Sequence, residues 1–148
     1  MDVFLDTNIL IYAVRNEATF PKLKTLLGSK RLAYSCSVIN YAELKAMGLK
    51  LSWQQKKLEQ IEEVMQDVVI VDIRFDAILN RYAEIDAYSL NQLPGVDRKK
   101  ATPMGQNDMW IAATASVLEI PLLTTDKDFD HLHNLYLDVI RLEPKAFK

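Results

Sequence analysis

The chain has 148 residues, a formal net charge of −2, 49% apolar and 26% charged residues, the size and usage of one globular domain with a substantial core. That balance excludes bulk electrostatic attraction to nucleic acid, so any such contact must come from local basic groups or from a metal. The single cysteine, Cys36, excludes an internal disulfide and suits a reducing compartment; with no leader-like start and no apolar run of about 18 residues, a soluble, cytoplasmic protein is expected.

Met1 to Leu5 reads as a short buried strand that runs directly into Asp6, and a helix starts at Asn8 and continues to about Arg15. Phe20 to Leu27 carries apolar residues at helical spacing (Phe20, Leu23, Leu26, Leu27), and Gly28 ends it. Leu32 to Cys36 is a second strand. Ser37 is placed to cap a helix from Val38 to Leu49 or Leu51, with Ile39, Ala42 and Ala46 on one face. Trp53 to Met65 is a charged amphipathic helix. Val68 to Val71 is so uniformly apolar that burial on both faces is expected.

Phe75 to Tyr88 is helical again, with Ile78, Leu79, Tyr82 and Ile85 on one side. The segment Ser89 to Gln106 holds Pro94, Gly95, Pro103 and Gly105 and the charged run Asp97-Arg98-Lys99-Lys100. A loop of this length is either functional or disordered. Asp108 opens a helix from Met109 to Glu119; Ile120 to Thr124 is a strand, Phe129 to Leu132 a helical turn, and Leu137 to Leu142 a last strand. The alternation predicts one three-layer α/β domain over residues 1–148 with a mostly parallel sheet.

Four acids fall just beyond, or near the top of, these core elements: Asp6 after the first strand, Glu43 two turns into the Ser37 helix, Asp108 at a helix start and Asp126 after Ile120 to Thr124. In open parallel sheets, ligands bind at the carboxyl ends of strands. Each acid alone has an ordinary explanation as a turn residue, a helix cap or dipole partner, or, for Glu43, a solvated partner of Lys45 or Lys50. If they converge, two carboxylates about 4 Å apart repel by roughly 4 kcal/mol at a surface-like dielectric. A hard cation relieves that repulsion, and an all-oxygen donor set suits Mg²⁺ or Mn²⁺ rather than Zn²⁺. Such a site is best used for phosphodiester hydrolysis by a metal-activated water. His131 and His133, two residues apart, are not placed to share a metal, and Ser35, Cys36 and Ser37 lack a neighbouring His.

The pieces Leu5-Asp6-Thr7-Asn8, Ala42-Glu43-Leu44, Asn107-Asp108-Met109-Trp110-Ile111-Ala112-Ala113 and Leu123-Thr124-Thr125-Asp126-Lys127-Asp128-Phe129 occur in this order along the chain. In this respect the chain resembles the PIN-domain family, in particular the VapC-type toxins of toxin–antitoxin pairs. The resemblance implies a sheet of about five parallel strands between helices and a metal-dependent endoribonuclease that leaves a 5′-phosphate and a 3′-hydroxyl. It implies that Asp6, Glu43, Asp108 and Asp126 are metal-binding and catalytic, that Asn8 and Thr124 orient them, and that Asp128 is an accessory. It further implies a homodimer and a cognate antitoxin held in a groove, for which Phe20 to Leu27 and Trp53 to Met65 are the candidate walls. A role in phosphate steering for Arg98, Lys99 and Lys100 stands beside a solvated loop as the alternative.

Two other readings remain open at this level. A phosphatase of the haloacid-dehalogenase type also begins with a strand ending in Asp, but it needs a second Asp where this chain has Asn8; a receiver domain needs two acids after the first strand, and only Asp6 follows here. A PIN-like fold retained only as a binding module is the alternative from a different class.

Overall fold

A computed structural model describes residues 1–148, and its strands form one five-stranded sheet with every pairing parallel. The elements in chain order are β1 (Asp2–Leu5), α1 (Thr7–Arg15), α2 (Thr19–Leu26), β2 (Ala33–Ser37), α3 (Val38–Lys50), α4 (Gln55–Gln66), β3 (Val68–Val71), α5 (Asp76–Ser89), α6 (Gln106–Leu118), β4 (Leu122–Thr124) and β5 (Val139–Arg141), with 3₁₀ turns at Lys127–Leu132 and Pro144–Phe147. The strand order is β3-β2-β1-β4-β5. The chain therefore builds outward from β1 on one side, then returns to build outward on the other. The reversal lies between β1 and β4, where a parallel α/β sheet opens a crevice at its carboxyl edge.

Alternation along the strands divides the interior into two cores. Val3 and Leu5 of β1, Tyr34 and Cys36 of β2 and Leu123 of β4 pack against Ile9, Leu10, Leu44, Ile61 and Met65 from α1, α3 and α4. Phe4 and Leu122 point the other way, against Ile78 and Ile85 of α5, Ile111, Ala112 and Ala115 of α6, and Phe129. Helix α6 passes through the interior: Met109 and every residue from Ile111 to Ser116 are buried, which explains its run of alanines as close-packing residues. No helix is long and apolar enough to cross a membrane.

Two sequence expectations are corrected here, and one element is added. Val68 to Val71 is an edge strand, with Val69 65% and Ile70 39% exposed; its apolar run reflects β-propensity and not burial on two faces. The buried stripe of α3 is Asn40, Leu44 and Gly48, while Ala42 is exposed. Gly48 leaves room for the α3–α4 crossing, since a Cβ there would lie 3.1 Å from Leu58 Cδ2. The turn at Pro144–Phe147 was not anticipated; Phe147 stacks on Tyr12 with centroids 4.6 Å apart.

The long segment between α5 and α6 has neither helix nor strand, yet it is tied down. Arg98 donates to the carbonyls of Tyr88 and Ser89, both at 3.1 Å, and to Thr102 Oγ1 at 3.1 Å, with its guanidinium 4.4 Å above the Tyr88 ring. Both carbonyls, at the end of α5, also accept a backbone amide, Tyr88 from Asn91 at 3.1 Å and Ser89 from Thr102 at 2.6 Å. The Arg98 guanidinium is thus committed to the loop, while Lys99 and Lys100 are exposed.

Candidate active site

The site begins with the ladder between β1 and β4. Leu5 pairs with Leu123, and the Asp6 amide donates to the Leu123 carbonyl at 3.0 Å, which sets Asp6 beside Thr124. The Thr124 hydroxyl, fully buried, donates to Asp6 Oδ2 at 2.6 Å and accepts from the Asp126 amide at 2.9 Å. Asp6 Oδ1 caps α1 by accepting from the Thr7 amide at 2.8 Å. One hydroxyl thus fixes an acid from each side of the sheet reversal.

A second chain of hydrogen bonds fixes Glu43. The Ser37 side chain caps α3, and the Ser37 amide donates to Asn40 Oδ1 at 2.7 Å, closing a capping box. Asn40 Nδ2 donates to Thr7 Oγ1 at 3.0 Å, and Thr7 Oγ1 donates to Glu43 Oε1 at 2.7 Å. Asn40 is completely buried. Thr7 and Asn40 are the two positioning residues that sequence reasoning passed over; the Ser37-x-x-Asn40 spacing was the available signal. Asn8, exposed, lines the cleft, and the hydrogen bonds from that turn of α1 come from Thr7.

Asp6, Glu43, Asp108 and Asp126 all line one cleft of about 450 Å³, together with Thr7, Asn8 and Asn107. Asp108 and Asp126 of this lining, and the exposed Asp128 beyond it, each bring a carboxylate oxygen within 4.8 Å of the others. Asp126 caps the Lys127–Leu132 turn by accepting from the Asp128 amide at 2.9 Å, which holds those two acids together. Asp6 and Glu43 stand outside that tightest cluster, on the wall formed by α1 and α3.

The electrostatic consequences are large. Burial pushes the Asp6 carboxyl up to about 6, opposed by the hydrogen bonds from Thr124 and Thr7 and reinforced by Asp126 and Glu43. Burial also raises Asp108, to about 7, with Asp6, Asp126, Glu43 and Asp128 adding repulsion. A cation in the cleft would remove the second cause for both, and the donor set is all oxygen, without Cys or His. By chemistry and by spacing, the residues fit a hard divalent ion.

The histidines lie elsewhere. His131 Nε2 is 2.8 Å from Ser89 Oγ, and burial pushes the imidazole down toward its neutral form. His133 Nδ1 accepts from the Val139 amide at 2.9 Å. Cys36 is buried, and burial raises its thiol to about 12, which leaves it inert as a nucleophile.

A second cleft, of about 430 Å³, separates α4 from the α1–α2 corner and is lined by Val14, Arg15, Phe20, Gln60, Glu63 and Val64, among others. It runs between the two segments expected to wall a partner groove, with Phe20 from α2 and Val64 from α4.

Comparison with known proteins agrees with this geometry. The PIN domain family model matches residues 3–135. The protein named Ribonuclease VapC1 from Haemophilus influenzae (strain R2866) is 28% identical over 138 residues, covering 91% of this chain and 95% of that protein. Among solved structures, VapBC-1 from nontypeable Haemophilus influenzae is 26% identical, with a TM-score of 0.70 over 95% of this chain and 98% of that one. VapBC2 from Rickettsia felis, bound to a DNA fragment from its promoter, has the same fold, with a TM-score of 0.73 at 23% identity over 95% of this chain and 98% of that one. On the match across residues 3–135, with the sheet order and the acidic cleft at its reversal, the chain belongs to the PIN domain family.

Proposed function

We propose that this protein is a metal-dependent endoribonuclease, formed as a single PIN domain over residues 1–148 and acting as the toxin of a toxin–antitoxin pair. The observation that carries this reading is the convergence of carboxylates from β1, α3, α6 and the turn after β4 on one cleft. The similarity to a VapC1 ribonuclease and to the VapC-containing VapBC complexes supports it. Asp6, Glu43, Asp108 and Asp126 are assigned to metal binding and catalysis, with Asp128 as a further oxygen donor, Thr124 as a support and Asn8 on the cleft wall.

When bound, Mg²⁺ (or Mn²⁺) supplies charge neutralisation at the phosphoryl oxygens and acidifies water. The chain's own part is positional. Thr124 holds Asp6 and Asp126 at fixed spacing, and Thr7 holds Asp6 and Glu43. Asp6 and Asp108, both raised by burial, must give up their protons before a cation is held. The acids repel a negative scissile phosphate, and that repulsion is what a bound cation would offset.

Antitoxin binding is assigned to the α1–α2/α4 cleft, whose Phe20 and Val64 offer an apolar floor. A basic antitoxin side chain reaching the acids is the electrostatic complement of the site. A homodimer in the cytoplasm completes the reading.

The test is cleavage of a mixed RNA pool by purified protein with and without Mg²⁺, beside Asp6→Asn prepared identically. Metal-dependent cuts with 5′-phosphate ends, absent from the variant, are expected. Equal cutting by both proteins marks a contaminant and removes the support. No cutting by either, together with metal affinity unchanged in Asp108→Asn, favours the binding-module reading.

A further inference from the structure

The acids occupy one end of the cleft; the other end has a different chemistry. Ala46, Met47, Lys50 and Leu51 of α3 and its C-cap, with Ile11 of α1, complete its lining. Glu43, Ala46, Met47 and Lys50 stand at i, i+3, i+4 and i+7, one stripe along a helix. Seven residues advance about 10 Å along the helix axis. The stripe therefore runs from a carboxylate, across an apolar step, to an ammonium group.

Lys50 is the single basic residue lining this cleft. It has no carboxylate within 4.0 Å, since the ion pairs of the molecule are Arg74–Asp72, Arg81–Glu84 and Arg141–Asp130. Its neighbours in sequence are otherwise engaged: Lys45 lies over Tyr41 and Lys57 over Trp53. Leu51, 54% exposed, is an apolar surface left open beside it.

We propose that this wall is a nucleotide subsite for single-stranded RNA: Lys50 takes the phosphate next to the one cut at the acids, and the intervening base lies on Met47 and Leu51. The inference rests on the nuclease reading above and names how the substrate is held. A cation is needed there on physical grounds. The protein has a net charge of −2 and its site is acidic, so a polyanion gains no general attraction and depends on local contacts. An aliphatic step covers the face of a base and leaves its hydrogen-bonding edge unread, so with a cation beside it the wall holds a single strand without regard to sequence.

The experiment places Lys50→Ala, Lys50→Arg and Leu51→Ser on the full chain, with Lys30→Ala as an exposed control, and thermal melts confirm that each variant folds. Binding of a labelled, mixed-sequence single-stranded RNA pool is titrated against salt in an Asp6→Asn background with Mg²⁺, and cleavage is followed with Asp6 intact. Lys50→Ala is expected to weaken binding roughly five- to tenfold and to flatten the log–log salt slope by about 0.7, the value for one phosphate on a single strand. The loss falls on KM and not on kcat, Lys50→Arg restores it, and Leu51→Ser weakens binding without changing the slope. Lys50→Ala that binds and cuts like its parent overturns the subsite and leaves the nuclease standing. Lys50-dependent binding by a protein that cuts nothing overturns the nuclease and keeps the subsite. Absence of both binding and cutting overturns both.

Discussion

Replacing Asp108 by Asn should make the metal-free protein more stable at alkaline pH while removing the metal-dependent cleavage proposed for it. A rise of the Asp108 carboxyl from 3.8 to about 7 corresponds to about 4 kcal/mol of cost to the folded anion at 1.36 kcal/mol per tenfold. Solvent reaches the half-buried side chain, so screening reduces this to roughly 1–2 kcal/mol. Asn also gives up the favourable placement of a carboxylate in the first turn of α6, worth about 0.3–1 kcal/mol. The net gain is about 1 kcal/mol, or roughly 2–4 °C in Tm for a chain of this size. The folded state holds this proton more tightly than the unfolded one. The parent's stability from this group is therefore complete below about pH 3.8 and is lost as pH rises toward and through about 7. Thermal unfolding in EDTA at pH 5 and pH 8 reads the difference directly: the variant's advantage over its parent should be largest at pH 8 and clearly smaller at pH 5. A variant less stable than its parent at pH 8, or an equal gain at both values, would refute the repulsion argument.

The remaining expectations concern the supports and the surface. Thr7→Val removes the hydroxyl that links Asn40 to Glu43 and should lower Mn²⁺ affinity by about 10- to 100-fold, as loss of an orienting group does; unchanged affinity by calorimetry would show that Glu43 needs no such support. Mn²⁺ affinity in the parent should fall as pH drops from 8 toward 5.5, because Asp108 at about 7 and then Asp6 at about 6 take up protons, and a flat profile would exclude both as ligands. Leu44→Ala, at a fully buried position, should cost about 2–5 kcal/mol in chemical denaturation, and a loss under 1 kcal/mol would mean the α3 contact is not core. Val69→Lys on the β3 edge, where Val69 is 65% exposed, should change stability by less than about 0.5 kcal/mol while reducing concentration-dependent light scattering; scattering that persists would place self-association on another face.

The parts of the fold that were legible in the sequence are those fixed by local chemistry. Strand β1 ending at Asp6, the Ser37 cap, the Gly28 stop at φ +62 and the alanine-rich α6 each carry their own signal. Their acids could be placed at element ends for the same reason. What stayed illegible depends on register across the sheet. Thr7 and Asn40 matter because β2 delivers α3 beside α1, a contact between residues 33 positions apart. The edge position of β3 is likewise a property of strand order, and an apolar run of four residues reads the same at an edge as at the centre. Arg98 looked like a free loop cation because its partners, the carbonyls at the end of α5, carry no sequence signature.

The hydrogen bond from Thr124 to Asp6 spans 118 residues. β1 lies between β2 and β4 at the centre of the sheet, and β4 is made well after it. Until β4 emerges, β1 has an open edge, Asp6 lacks its buried donor, and Asp126 and Asp128 have not been synthesised. Closing that contact late is slow by topology, since long-range parallel pairing must wait for loop closure. Partial chains that lack β4 therefore hold no assembled site, and neither the Asp6–Thr124 bond nor the acidic cleft exists in them. The same order of events gives the free β1 edge a window for mispairing, which a slowly translated chain would prolong.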